Sequence, residues 1–184
     1  VARFYNTGVP RLGHGVATMT KTTAAHGQYT THGVPHGVTS LTPHLVVSPA
    51  EEALVFYAKV LGAELGEVTR MGGLVGHAEL RFASGRCTLS DPMAAYGLVA
   101  PSGEDKVSAS FALYVPDVDA VVARALEAGA KLREPVSTFV SGDRYGSILD
   151  PFGVRWALMT RVEDLSPQES AARVAAWAAS QGQG

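Results

Sequence analysis

Two histidines on strand-like stretches are the residues of this chain best suited to acid–base chemistry. His44 sits in Leu41-Thr-Pro-His-Leu-Val-Val47, alternates with Leu45 and Val47, and so shares a strand face with Thr42 and Val46. An imidazole titrates near neutral pH, so His44 can act as a general base or as a hydrogen-bond anchor. It can equally be a half-buried side chain satisfied by a backbone carbonyl or a neighbouring serine. His77 lies in the alternation His77, Glu79, Arg81 against Ala78, Leu80, Phe82, which suits a catalytic histidine and equally a strand with one solvated face. Cys87, the lone cysteine, has no activating partner close in sequence and reads as a buried structural thiol.

The remaining histidines point elsewhere. Of six, His14, His26, His32 and His36 fall within the first forty residues among Gly, Thr and Pro, with no sustained period. That stretch reads as a flexible His-rich arm over residues 1–40, either a weak metal-binding tract or a tail, with Met19 as a candidate start. No Gly-x-Ser-x-Gly elbow, no Gly-x-x-x-x-Gly-Lys loop and no His-Glu-x-x-His pair occurs, so hydrolase, nucleotide-phosphate and zincin chemistry have no motif here.

The elements that must position these residues follow from periodicity. After the strand ending at Val47, Pro49 suits a first helical turn, Glu51 and Glu52 suit its positive end, and Ala53, Leu54, Tyr57, Val60 and Leu61 recur at helical spacing before Gly62. Strands are expected over 64–71, 76–82 and 86–91, separated by Gly72-Gly73 and Ser84-Gly85 turns. A second strand at 107–115 leads to Asp117, a cap for a helix carrying Val118, Val121, Val122 and Leu126, closed by Gly129. Strands at 131–139, 145–149 and 155–160 follow, with Asp150-Pro-Phe-Gly153 as the turn between the last two. An Ala-rich helix to Ser180, with Val174 and Trp177 as contacts, ends the pattern.

These two series repeat each other. His44-Leu-Val-Val-Ser-Pro-Ala-Glu-Glu-Ala53 runs parallel to Ala112-Leu-Tyr-Val-Pro-Asp-Val-Asp-Ala-Val121, 68 positions on, and the same offset carries Gly85 onto Gly153 and Leu89 onto Ala157. A spacing kept from strand through helix to strand marks an internal duplication. The expected organisation is a first βαβββ module over 41–91, a linker over 92–106, a second module over 107–161, and a C-terminal helix and tail over 162–184.

Composition restricts the function classes. A formal charge of −2 with scattered Lys, Arg, Asp and Glu offers no basic face for nucleic acid and no polybasic membrane anchor. No apolar run approaches the ~18 residues of a membrane span, and one cysteine excludes an intrachain disulfide framework. With no secretory pattern at the start, a cytoplasmic address is expected.

Paired βαβββ patterns, Phe56-Tyr57 late in the first helix, the Val118-Asp-Ala120 helix start and Asp150-Pro-Phe-Gly153 together resemble the vicinal oxygen chelate superfamily, which includes glyoxalase I, bleomycin-resistance proteins and extradiol dioxygenases. Leu41-Thr-Pro-His-Leu-Val-Val47, His77-Ala-Glu-Leu80 and Asp150-Pro-Phe-Gly-Val-Arg-Trp156 are similar to its PhnB-like branch. The resemblance covers about residues 40–165. It implies an α+β fold of two tandem βαβββ modules forming cupped mixed sheets around a cavity. Metal-dependent members place ligands on the first and last strand of each module, and these places fall here on Thr42, Leu89, Ser110 and Ala157. None is an imidazole or a carboxylate, so no cofactor is expected. A divalent metal would need unusual places such as His44 and His77.

The resemblance also implies which face lines the cavity. His44, Thr42 and Val46 share it on the first strand, with Leu89 and Cys87 assigned to it on the last. Ser108, Ser110, Ala112 and Tyr114 do so in the second module, with Arg155, Ala157 and Met159 on its last strand. Tyr145, matched to His77 by the repeat, adds aromatic surface, and Trp156 reads as core behind the sheet. The expected activity is binding of an apolar or aromatic metabolite or antibiotic. The alternative is a glyoxalase-type lyase, isomerase or dioxygenase using His44 as base. A homodimer is expected, as many relatives pair modules across one.

Overall fold

The computed structural model of the protein describes residues 22–103 and 106–181. His14, Met19 and the end of the expected tail lie outside the described residues. The chain divides into two units, Val1–Ser40 and Leu41–Gly184. In the first, β1 (Thr30–Thr31) and β2 (Val34–Pro35) form a small antiparallel hairpin. Its turn residues His32 and Gly33 both have positive φ, 48° and 81°, the combination that suits a two-residue hairpin turn. His36 Nε2 lies 2.9 Å from Thr31 Oγ1 across this hairpin.

The second unit is an α+β fold of two similar modules. The first runs β3 (His44–Val46), α1 (Ala50–Leu61), β4 (Glu64–Met71), β5 (Leu74–Phe82) and β6 (Gly85–Ser90). The second runs β7 (Ser110–Tyr114), α2 (Val118–Glu127), β8 (Lys131–Thr138), β9 (Asp143–Leu149) and β10 (Arg155–Arg161), and α3 (Pro167–Gln181) follows. The sheets have the same strand order, β3-β6-β5-β4 and β7-β10-β9-β8. In each, the opening strand pairs in parallel with the closing one and every other pairing is antiparallel.

Local chemistry explains the helix positions. Gly62 ends α1 in the left-handed region at φ 73°, where a glycine pays no steric penalty. The Asp91 carboxylate accepts from the backbone N–H of Ala50, at the start of α1, and of Val75, at 3.1 and 2.8 Å. Thr160 takes the corresponding place in the second module, where its hydroxyl accepts from Val118 N–H and donates to the Val115 carbonyl, both at 2.8 Å. Asp117 caps α2 by accepting from Ala120 N–H at 3.0 Å.

Each sheet has one face under the helices and one open face. Leu45, Ala78, Leu80, Cys87 and Leu89 are buried in the first module, and Ile148, Trp156 and Leu158 in the second. Burial pushes the Cys87 thiol up to about 11, which keeps it protonated and inert at neutral pH. Trp156 lies in the core behind the sheet, as its sequence context suggests.

Leu89 does not lie on the cavity face assigned to it, and neither does its neighbour Cys87. Leu80 pairs with Cys87, as Ile148 pairs with Trp156, so the repeat offset lengthens by one residue after the β5–β6 and β9–β10 hairpins. A shift of one residue moves a strand's side chains to the opposite face. The partner of Ala157 in the first module is therefore Thr88, and Leu89, with no exposed surface, belongs to the core.

The two modules share that core through Asp150. Its Oδ1 accepts from Phe152 and Val154 N–H at 2.9 and 2.8 Å. Its Oδ2 accepts from the Tyr57 hydroxyl of α1 at 2.8 Å and from Trp156 Nε1 at 3.0 Å. Around this carboxylate the rings of Tyr57 and Trp156 meet at 5.5 Å, with Phe111 and Phe82 on the other sides of the indole. Burial pushes the Asp150 carboxyl above the usual carboxylate range, with the four donors pulling the other way. An amide in its place can face only one of its two donor pairs with an oxygen. Asp150→Asn is expected to lower unfolding free energy by about 2–4 kcal/mol in urea denaturation, with Tyr57→Phe costing about 1–2 kcal/mol.

Candidate functional site

The open faces of the two sheets carry most of the polar side chains that the sequence singled out. On the first, His44 of β3 lies opposite Thr88 of β6, which lies opposite Glu79 of β5. His44 Nδ1 is 2.8 Å from Thr88 Oγ1 and Nε2 is 3.1 Å from Ser90 Oγ. The Ser90 hydroxyl donates to the Asp91 carbonyl at 2.9 Å, so towards the ring it can only accept. This assigns the ring proton to Nε2 and leaves the Nδ1 lone pair facing a Thr88 hydroxyl whose single proton is shared with the Pro43 carbonyl, 3.5 Å from it. Burial, and secondarily the neighbouring His77, push the His44 imidazole below its ordinary range. His77 shares this face and is exposed.

His44 and Val46 also line a cleft of about 480 Å³. Its other walls include Pro101 and Ser108, which flank the second module's entry, and Gly153 and Val154 of the turn after Asp150. Gly153 has φ +85°, and a side-chain carbon there would stand 2.7 Å from Pro101 Cβ. Thr42 is half-buried two residues ahead of β3, with Pro43 between.

The second open face is the more elaborate. Ala112 lies opposite Ala157, Ala157 opposite Ser147, and Ser147 opposite Glu134. The flanking rows are Ser110 with Arg155, and Tyr114 with Met159 and Tyr145. Two adjacent alanines thus form a low floor between longer side chains. At its edge one oxygen of Glu134, Oε2, accepts from the Tyr145 hydroxyl, from Ser147 Oγ at 2.6 Å and from Arg155 Nη2 at 2.7 Å. The hydrogen bonds from Ser147 and Tyr145, then that from Arg155, hold the Glu134 carboxyl below the usual carboxylate range. The Tyr114 hydroxyl is directed at Asp143 Oδ1, 3.2 Å away.

Thr88, Ser90, Glu134 and Ser147 were not among the expected site residues. Ser147 was accessible in principle, since it alternates with Tyr145. Glu134 was not, because register shifts on both sides of it break the alternation along β8. With Thr88 in place of Leu89, the four places where the resemblance puts metal ligands hold three hydroxyls and a methyl, a donor set that does not fit a divalent ion. Among the described residues no three His, Cys, Asp or Glu side chains are grouped to hold a metal ion.

The repeated βαβββ topology has counterparts among known proteins. The family model described as Glyoxalase/Bleomycin resistance protein/Dioxygenase superfamily matches residues 33–158. The chain belongs to this superfamily. An uncharacterized protein of Mycobacterium bovis is 37% identical over 134 residues, covering 71% of this chain and 88% of its own length. An uncharacterized Mycobacterium tuberculosis protein matches at the same identity over 79% of its length.

Among solved structures, a gene product of Arabidopsis thaliana is 27% identical with a TM-score of 0.53, covering 66% of this chain and 98% of that one. TioX from Micromonospora has the same TM-score at 19% identity, covering 70% of this chain and all of that one, a likeness of fold. A PhnB protein from Bacillus cereus, also at 19% identity and 0.53, covers 66% of this chain and 99% of that one, and again shares the fold.

The histidine of this superfamily member is testable directly. Its ring proton should titrate by NMR with a midpoint below the about 6.5 of an unperturbed imidazole. Because its folded value is depressed, the stability it contributes is present above the unfolded value and is lost as pH falls through the folded midpoint. His44→Gln should remove that part of the pH dependence of unfolding.

Proposed function

We propose that this protein binds a small organic molecule with an apolar or aromatic part on the open face of its second sheet, without the divalent metal of the metal-dependent members. The observation that carries this reading is the alanine floor of Ala112 and Ala157, with Tyr114, Met159 and Tyr145 along one side and Ser110 and Arg155 along the other. A flat apolar group can cover the methyls, while the tyrosine rings add contact area. Glu134 and Arg155 supply polar groups whose geometry is set before a ligand arrives, which lowers the ordering cost of binding.

The rival reading, a lyase, isomerase or dioxygenase with His44 as base, has less support. The Nδ1 lone pair that would take a proton is covered by the Thr88 hydroxyl at 2.8 Å, and Nε2 is engaged by Ser90. The superfamily holds both enzymes and resistance proteins by its own description, so membership does not choose between them.

The test uses the uncharged fluorescent aromatic amine N-phenyl-1-naphthylamine as probe. It should bind the folded protein and lose affinity at least about tenfold, roughly 1.4 kcal/mol, in Ala157→Trp, with an unchanged thermal midpoint. His44→Ala should leave affinity within about twofold. Probe binding that ignores Ala157→Trp would overturn the placement of the ligand.

A further inference from the structure

Glu134 and Arg155 are joined through one atom each. Every hydrogen bond the carboxylate accepts falls on Oε2, and the guanidinium reaches Glu134 and Ser147 through Nη2, with the Tyr145 hydroxyl beside it as a further partner. Among the described residues, Glu134 Oε1 accepts no hydrogen bond, and Arg155 Nε and Nη1 donate none to Glu134 or Ser147. Neither side chain is sealed off, with 46% of the Glu134 side chain and 32% of the Arg155 side chain exposed. Both border the alanine floor, Arg155 in the row beside it and Glu134 at its end.

The pair therefore offers an incoming molecule one acceptor and one set of donors on a single ion pair, with no net charge. A carboxylate placed on Arg155 would meet the like charge of Glu134, and an ammonium placed on Glu134 would meet Arg155. A neutral group with a carbonyl oxygen and an N–H next to each other has no such conflict. It satisfies both free positions, and leaving either unmatched beneath a covering ligand is costly. Tyr145 and Ser147 both donate to Oε2, and neither donates to Oε1.

We infer that the ligand of this face presents an uncharged amide edge, its carbonyl oxygen on Arg155 and its N–H on Glu134. The inference rests on the open face being the binding site. It makes Glu134 and Arg155 determinants of specificity for amide-bearing molecules over acids and amines of the same shape.

Three indole probes that differ in charge test it: N-acetyl-tryptophanamide, N-acetyl-tryptophan and tryptamine, measured by calorimetry on the full chain. The neutral amide is expected to bind at least tenfold more tightly than either charged probe. Glu134→Gln keeps an acceptor oxygen but leaves Arg155 uncompensated, so in that variant the acid should gain at least tenfold relative to the amide. A merely structural Glu134 would lower all three affinities together. Acid binding as tightly as amide in the native protein, or a ratio unmoved by Glu134→Gln, would overturn the inference. If none of the three binds while the uncharged naphthylamine probe still does, the amide assignment falls and the site stands. If that probe fails as well, both fall.

Discussion

The carboxylate of Asp150 is the point on which the rest of this structure depends. A carboxylate deep in an apolar core is tolerated only when its lone pairs are met, and here the four donors come from three places in the chain. Two are amides of its own turn, one is the indole of β10, and one is the phenol of the other module's helix. The modules cannot part without stripping Tyr57 from that oxygen. The same bonds set the path of the turn through Gly153, against which Pro101 of the connector lies, and so shape the cleft beside His44.

The duplicated modules use one plan for burial and two for chemistry. Beneath the sheets, leucines, alanines and valines meet the helices in both copies. Above them, the first copy carries a histidine held by two hydroxyls, and the second carries a carboxylate held by a serine, a tyrosine and an arginine. A half-buried strand needs a fixed pattern only on its inner side, which leaves the outer side free to carry different polar groups.

Much of the fold could be read directly from the chain. The helix from Pro49 to Gly62, the Asp117 cap, the buried Trp156 and the doubled βαβββ order all follow from local periodicity and capping chemistry. The site was less accessible, for identifiable reasons. The β9–β10 turn is longer than the β5–β6 turn, so an offset read from helix to helix assigned Leu89 to the wrong face by one residue. Glu134 lies between register shifts beside Pro135, where period-two reasoning fails. The partners of His44 are 44 and 46 residues away, and only the parallel pairing of β3 with β6 brings them together.

The C-terminal helix α3 stands apart from this economy. Ser166 and Glu169 cap its start reciprocally, yet none of its residues is buried. It is fastened by the Trp177 ring on Phe139, the Ser170 hydroxyl on the Ser141 carbonyl, and the Arg173–Glu163 pair. With so little apolar surface committed, its opening free energy lies far below that of the two sheets. The helix is expected to melt and re-form locally, at little cost, while the carboxylate knot and both sheets stay intact.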